Sequence, residues 1–570
     1  GIYSQSDIYN SAVISNTAEE CDGCNNRATG TISIKDDNTS SEIYGMYNSS
    51  ENNIYNSFSF GTGQGATKNG SDGSIIITKS ETSSGNIIGM QGGKNLYNAY
   101  ANTSDGVNTN VRAVGKINIT HNGYGDVIGI RGTNSAGKIN NALAYLNSAV
   151  SDAVAEGSIV LSGKGNVYGI YGNGTIANSE TQFNKNYNML KDFSSHGVID
   201  VTTRSDTAAA YGIYAAGAKD TKTSVYNAMG YNSTGDIKVR NTSGGSAFGI
   251  YSAAQTYTGD DDVVYYNNTY NAFRSSAIYG DSVATGNIDM TIEGYSSLGQ
   301  QVAGIYAAGN AFNSYANSGS DVMLETIGNI TINDKSETGN MNLRGIESNG
   351  ATIANAYSTG QNQNTATKVT GNINVNILAT KNGLSTASGI FSDSINPQGT
   401  KIYNAALVND KNNVEGNITV NASSGRAPNR MYGIYATSYK TGENAEDAQP
   451  KTVYNAYYEN GLGKCSYPVP DGQQMEIELL LKRTYEIEDA KLIDYYDSEV
   501  VANDELLTRY LAKNKKAVLG EIIATIQQEQ NEIIRKSPYH SMIVQGVAGS
   551  GKTTVAMHRI SYILYNYEER

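Results

Sequence analysis

Through the first 460 residues, apolar and polar positions alternate in short runs, and each run restarts from a glycine. TGTISI, DGSIII, VGKINI, EGSIVL, HGVIDV, TGDIKV, TGNIDM, IGNITI, TGNINV and EGNITV place their glycines at Gly30, Gly73, Gly115, Gly157, Gly197, Gly235, Gly286, Gly328, Gly371 and Gly416, a mean spacing of about 43 residues. A second phrase of the type YGIY follows each glycine by 12 to 18 residues, and a third of the type YNA follows that, ending at Ala456. Alternation at period two predicts half-buried strands, and the Gly, Asn, Asp and Ser between the phrases predict turns. The repeat therefore reads as three short strands. No helical periodicity interrupts it before Cys465.

Strands this short cannot bury their isoleucine face alone, so the copies must stack. A right-handed parallel β-helix or similar solenoid does this, with like residues about 4.8 Å apart along the axis. In such a stack the repeated Asn56, Asn98, Asn227, Asn271, Asn404 and Asn455 would form an inward ladder, each amide donating to the next and accepting from the last. Tyr171, Tyr214, Tyr251, Tyr306 and Tyr435 would stack along one face. The spacing fits one large coil per repeat or two of about 21 residues. A propeller is the rival, disfavoured because a blade needs four strands and usually carries Trp or a similar signature.

Composition agrees with a biased repeat protein: 62 Gly, 42 Tyr, 6 Pro and no Trp in 570 residues, with every proline at or after Pro397. A net charge of -13 argues against a nucleic-acid-binding surface overall. Three cysteines are too few for a disulfide scaffold, and no run approaches the roughly 20 apolar residues of a membrane span. The chain opens on GIYS, a phrase that recurs within later repeats, so its start reads as cut inside a repeat.

After Gly461 the composition changes. From Cys465 onward 28 of 106 residues are charged, against 67 of the preceding 464, and glycine falls to five. Helical periodicity is expected in MEIELLLKRTYEIEDAKLIDYYD and VLGEIIATIQQEQNEIIRK. The domain reading is a β-solenoid over 1–460, a junction over 461–474, a helical segment over 475–536, and the start of an α/β nucleotide-binding unit over 537–570.

That last unit rests on GVAGSGKTT. Gly546, Gly551, Lys552 and Thr553 fit GxxxxGK[ST], with Gly549 and Thr554 completing the loop. SMIV before it reads as a short buried strand and TTVAMHRISYIL after it as a helix. In that context backbone N–H groups cradle phosphate oxygens, Lys552 reaches the β and γ phosphates, and the Thr553 hydroxyl ligates Mg²⁺.

With IQQEQNEIIR just upstream, the stretch resembles the start of the motor in superfamily 1 helicases of the UvrD/Rep group, most closely the HelD-like (DNA helicase IV-like) branch. The resemblance covers roughly the last 100 residues. It implies ATP and Mg²⁺ as cofactors, Gln530 as the residue that reads adenine, and Met475 to about Lys516 as the region preceding the motor. Nucleic acid or RNA polymerase would be partners only of a completed motor, because the acidic pair, arginine finger and second lobe of that family are missing here. No hydrolysis is expected of the chain as it stands.

Other candidates have plain alternatives. Cys21 and Cys24 in ECDGCN are half a zinc site or a redox pair, or else a turn with a local disulfide or two free thiols. Asp260, Asp261 and Asp262 fit Ca²⁺ binding or glycan cleavage, or a solvated turn. His121 and His196 read as surface residues, and His558 and Arg559 as framework of the helicase-like helix.

The long region resembles, in architecture and composition, the passenger domains of autotransporters and other bacterial surface adhesins. That implies display at the cell surface or outer membrane, or secretion, with a host or neighbouring-cell ligand. The helicase-like tail implies the cytoplasm instead. The expectation is a chimera of two unrelated proteins joined near 461–474. A nucleic-acid translocase and a polysaccharide-active β-helix enzyme are the alternatives, the latter requiring carboxylates that converge on one coil face.

Overall fold

Two residues after each repeat glycine an isoleucine points inward, and in the computed structural model these side chains stand one above another. Ile32, Ile75, Ile117, Ile159, Ile199, Ile237, Ile288, Ile330, Ile373 and Ile418 occupy a single register position. The structure describes residues 1–438 apart from several connecting segments, the backbone of four strands between 463 and 497, and short stretches of 533–560. By internal contacts the chain divides into Gly1–Ala448 and Gln449–Arg570.

The first unit is a parallel β-solenoid with one three-stranded coil per repeat, so the 43-residue period is a single large coil. YGIY-type phrases build an 11-stranded first sheet, from Ile2–Ser4 to Arg430–Ser438. YNA-type phrases build a 10-stranded second sheet, from Ile8–Ser15 to Lys401–Val408. The glycine-led runs build a 10-stranded third sheet, from Asn25–Asp36 to Asn413–Ala422. Every neighbouring pair in these sheets is parallel, as stacking identical phrases requires. The isoleucine line of the third sheet packs against Met90, Ile130, Ile170, Ile213, Ile250 and Ile305 of the first and Ile54, Leu96, Ile139 and Ile176 of the second, nearly all of them fully buried. Each such side chain contributes roughly 1.5–3 kcal/mol by leaving water.

Beyond its repeat asparagine, the far arm of a full-length second-sheet strand packs against the first half of the third-sheet strand. This flap has a core of small residues, Ala99, Ala101, Ala113, Ala142, Ala144, Ala153 and Ala155 among them. Small size brings the sheets close enough for side-chain hydrogen bonds between them, such as Ser57 Oγ to Ser71 Oγ at 2.7 Å and Ser314 Oγ to Thr326 Oγ1 at 2.8 Å.

The asparagine ladder runs where flap and main core meet. Nδ2 of Asn56, Asn98, Asn141, Asn178, Asn227, Asn271, Asn313 and Asn355 each donates to the Oδ1 of the next coil at 2.8 to 3.0 Å. Each also donates to the carbonyl of the repeat glycine in its own coil, as Asn271 does to Gly286 at 2.9 Å. Asn10 begins the ladder and Asn404 accepts at its far end. Asn455 lies outside the described residues. Asn10, Asn141, Asn178, Asn313 and Asn355 join the five expected members that are described. Asn141, Asn178 and Asn355 follow Asn, Ala and Ala, so the inward amide, not the preceding tyrosine, defines the phrase.

The second unit corrects two expectations. Within 475–536, expected to be helical, the described residues up to 497 form strands: Gly463–Pro468 pairs antiparallel with Gln474–Leu479, and Arg483–Glu488 with Lys491–Asp497. QMEIEL alternates at period two as well as fitting a helical stripe, and the alternation prevails where the strand finds an antiparallel partner. Residues 542–545 are neither strand nor buried, with Ile543 95 % exposed. A strand there needs parallel neighbours to pair with, and the described residues supply none.

Candidate functional site

Two outer faces of the solenoid are aromatic. On the first sheet Tyr171, Tyr214, Tyr251 and Tyr306 stack with ring centroids 5.1, 4.9 and 4.6 Å apart and planes within 10° of parallel. Tyr168, Tyr211 and Phe248 form a second line beside them. Tyr435 is not continuous with the expected ladder: the register passes from Tyr306 through Glu347 to Phe391, and Tyr435 stacks on Phe391 at 5.2 Å. Burial pushes the Glu347 carboxyl up, while Arg344 lies over the Phe391 ring at 4.0 Å. On the second sheet Tyr9, Tyr55 and Tyr97 stack, as do Phe273, Tyr315 and Tyr357.

Burial raises the phenols of Tyr55, Tyr97, Tyr168, Tyr211 and Tyr270 well above their ordinary value, and Tyr44 to about 12. They remain neutral hydroxyls at physiological pH. Because neighbouring rings occupy each other's faces, the ladders offer mainly ring edges and hydroxyls to a ligand, not the open π-face on which a sugar stacks.

The third sheet's outer face is polar and holds a second amide ladder of opposite polarity. Asn417 donates to Asn372, Asn372 to Asn329, Asn329 to Asn287, and Asn287 to the Asp236 carboxylate at 2.7 Å. Across the strand Asp200, Lys238 and Asp289 share one register line. His196 Nε2 meets Asp236 Oδ2 at 2.7 Å. That hydrogen bond pulls the imidazole up and, with Asn287, holds the Asp236 carboxyl down, whereas burial pushes Asp289 up. Two carboxyls with oppositely displaced pKa values are the raw material of acid–base catalysis. They lie on a sheet face, and a cavity among the described residues is elsewhere, lined by second-sheet and turn residues. His196 is exposed, as expected of a surface residue, and in addition is held by Asp236.

His121 is corrected more strongly, because it is fully buried. Its position at the inward end of the third-sheet strand, directly above Lys79, encloses it. Nδ1 accepts from Gly123 N at 3.0 Å, and Nε2 lies 3.0 Å from both the Gly85 carbonyl and Gly125 N. Burial holds its pKa below the usual value, and a neutral ring suits one nitrogen accepting while the other donates. Lys79, also fully buried, donates to the carbonyls of Ser41 at 2.9 Å and Ser84 at 2.7 Å and lies 3.7 Å from Asp36. Both residues close a corner between sheets. The signal was the period-two alternation itself, which assigns them to the inward side.

Searches against family models, curated proteins and solved structures found no match.

In the tail, Lys552 and Thr553 begin a helical stretch that includes residues 555–557, Arg559 and Ile560. Lys552 is half-buried and Thr553 exposed. Val555 is buried, and Arg559 Nη1 donates to the Ile533 carbonyl at 2.7 Å. Gln530, Gly546, Gly549, Gly551, Thr554 and His558 lie outside the described residues, as do Cys21, Cys24 and Asp260, Asp261 and Asp262. Among the described residues no group of three or more His, Cys, Asp or Glu is placed to hold a metal ion. No described helix is long and apolar enough to cross a membrane.

Proposed function

We propose that residues 1–460 are a surface-displayed rod, an adhesin-like passenger whose business is extension and contact with a host or neighbouring-cell ligand. The observation that supports this most is the register. Ten successive third-sheet strands keep their glycine and isoleucine lines without a slip, and the repeat's polar groups are satisfied internally by the amide ladder. Sequence of this kind invests in length and stiffness.

The polysaccharide-active reading draws on His196, Asp236 and Asp289. Their place on an open sheet face, with no described wall to exclude water, favours binding over cleavage.

For the tail, ATP and Mg²⁺ binding by the loop from Gly546 to Thr554, with Gln530 at the adenine, rests on the helicase-like motif. Nucleic acid or RNA polymerase would join only with the rest of a motor. An exported rod and a cytoplasmic motor have no common compartment, so the chain is best read as two pieces of separate origin.

Antibodies raised against recombinant full chain test the display reading on intact cells of the source organism. Solenoid epitopes should be labelled without permeabilisation and lost on external protease treatment. Labelling that requires permeabilisation would overturn it.

A further inference from the structure

The sixth coil departs from the repeat. Its second-sheet strand Ser224–Met229 stops where its neighbours Thr175–Phe183 and Asn268–Ser275 run on. Gly230, Tyr231 and Asn232 turn the chain straight into Ser233–Asn241. Gly230 has φ 102° and Asn232 φ 43°, left-handed backbone that glycine and asparagine tolerate best. The flap thereby loses part of a rung. Third-sheet pairing between the fourth and fifth coils reaches Ala153 and Phe193, whereas between the fifth and sixth it begins only at Ser195 and Ser233.

A cavity of about 240 Å³ lies beside the missing rung, its wall including Tyr145, Gln182, Phe183, Tyr231, Phe273 and Arg274. Arg274 is out of pattern. Its register mates in the next coils are Ala316 and Ser358, small residues suited to the flap core. Arg274 is nonetheless 2 % exposed. Nη1 donates to the Ser282 carbonyl, the guanidinium lies 5.6 Å from the Tyr231 ring centroid, and Nη2 has no hydrogen-bond partner. Burial lowers its pKa to about 10, which leaves it charged at neutral pH. No ion pair to it exists among the described residues. A buried cation is ordinarily paired.

We propose that this notch binds a sugar acid, a single pyranose ring carrying one carboxylate. Glu325 acts on Arg274 only from beyond ion-pair distance, and the carboxylate would be the contact counter-charge, in the planar geometry a guanidinium favours. Nη2 is closed off from water in this structure, so binding requires the guanidinium to turn toward the cavity. Tyr145, Phe183, Tyr231 and Phe273 supply the apolar wall for the ring, and Gln182 and Ser275 supply polar groups at its edge. The volume is below the roughly 300 Å³ at which drug-sized pockets begin, a scale that suits one ring. The site does not depend on where the rod is displayed.

The test is titration of the full chain with glucuronate and, separately, glucose at neutral pH, followed by calorimetry. Glucuronate should bind at least tenfold more tightly than glucose. Arg274→Gln should weaken glucuronate at least tenfold. Ser275→Tyr, at an exposed position on the cavity wall, should weaken it similarly by filling the space with Arg274 intact. Circular dichroism checks that both variants keep the parent's fold. No glucuronate binding by the parent, equal binding of glucose, or undiminished binding by a folded Arg274→Gln variant would overturn the proposal.

Discussion

Replacing Asn271 by aspartate should lower stability by about 3–5 kcal/mol at neutral pH, the scale of a buried charge left without a partner. Asn271 Nδ2 donates to the Gly286 carbonyl at 2.9 Å, to Asn313 Oδ1 at 2.8 Å and, more weakly, to the Asn329 carbonyl at 3.2 Å, while its Oδ1 accepts from Asn227 at 2.8 Å. Aspartate keeps the shape and the one acceptance but turns its other oxygen toward three oxygens. Those neighbours, together with burial, raise the carboxyl's folded-state pKa above its unfolded value of about 3.9. The folded variant therefore binds its proton first, so the penalty is largest above the folded pKa and shrinks as pH falls toward the unfolded one. Urea unfolding followed by circular dichroism at pH 7 and pH 4.5 reads both effects. A midpoint equal to the parent's at pH 7 would show that the ladder contributes nothing.

Gly328→Ala should cost about 3 kcal/mol, at the upper end of ordinary overpacking. A Cβ there would sit 2.1 Å from the Asn313 carbonyl oxygen and 2.5 Å from its carbon. Both atoms are backbone, so no rotamer change relieves the clash, and the second and third sheets must part at the ladder. Gly70 is the control: its Cβ would meet nothing within 4 Å. Gly70→Ala should be neutral or stabilise by about 0.5 kcal/mol, since glycine weakens a strand. Equal melting temperatures for the two variants would remove the steric explanation for the repeat glycine.

The glycine, isoleucine and asparagine lines were legible because stacking forces chemically equal positions into register. The number of coils per repeat was not, because strand length and turn signals alone fit either choice. Asn141, Asn178 and Asn355 are hidden by the residue before them, because Asn140, Ala177 and Ala354 stand at the register position that tyrosine holds in other coils. Period two assigns His121 and Lys79 inward, yet their polarity suggests surface. Burial is tolerable there because backbone carbonyls and amides receive their polar atoms. Arg274 could be found only against its stack-mates, and its meaning depends on the short turn at Gly230. In Gln474–Leu479, Arg483–Glu488 and Lys491–Asp497 two periodicities overlap in the same residues, and antiparallel pairing prevails over the helical stripe.

Neighbouring coils provide the most direct test of one coil per repeat. Thr331 and Asn374 are register partners on the third sheet's outer face, and Asn374 in turn pairs with Thr419. With Cys21, Cys24 and Cys465 changed to serine, Thr331→Cys/Asn374→Cys should oxidise to a disulfide, since a strand spacing of about 4.8 Å lies within the span a disulfide bridges. Thr331→Cys/Thr419→Cys, two coils apart at about 9.6 Å by the same spacing, should not. Peptide mass spectrometry distinguishes the products. Failure of the first pair to cross-link would contradict the solenoid described here, because two coils per repeat would put those cysteines beyond reach.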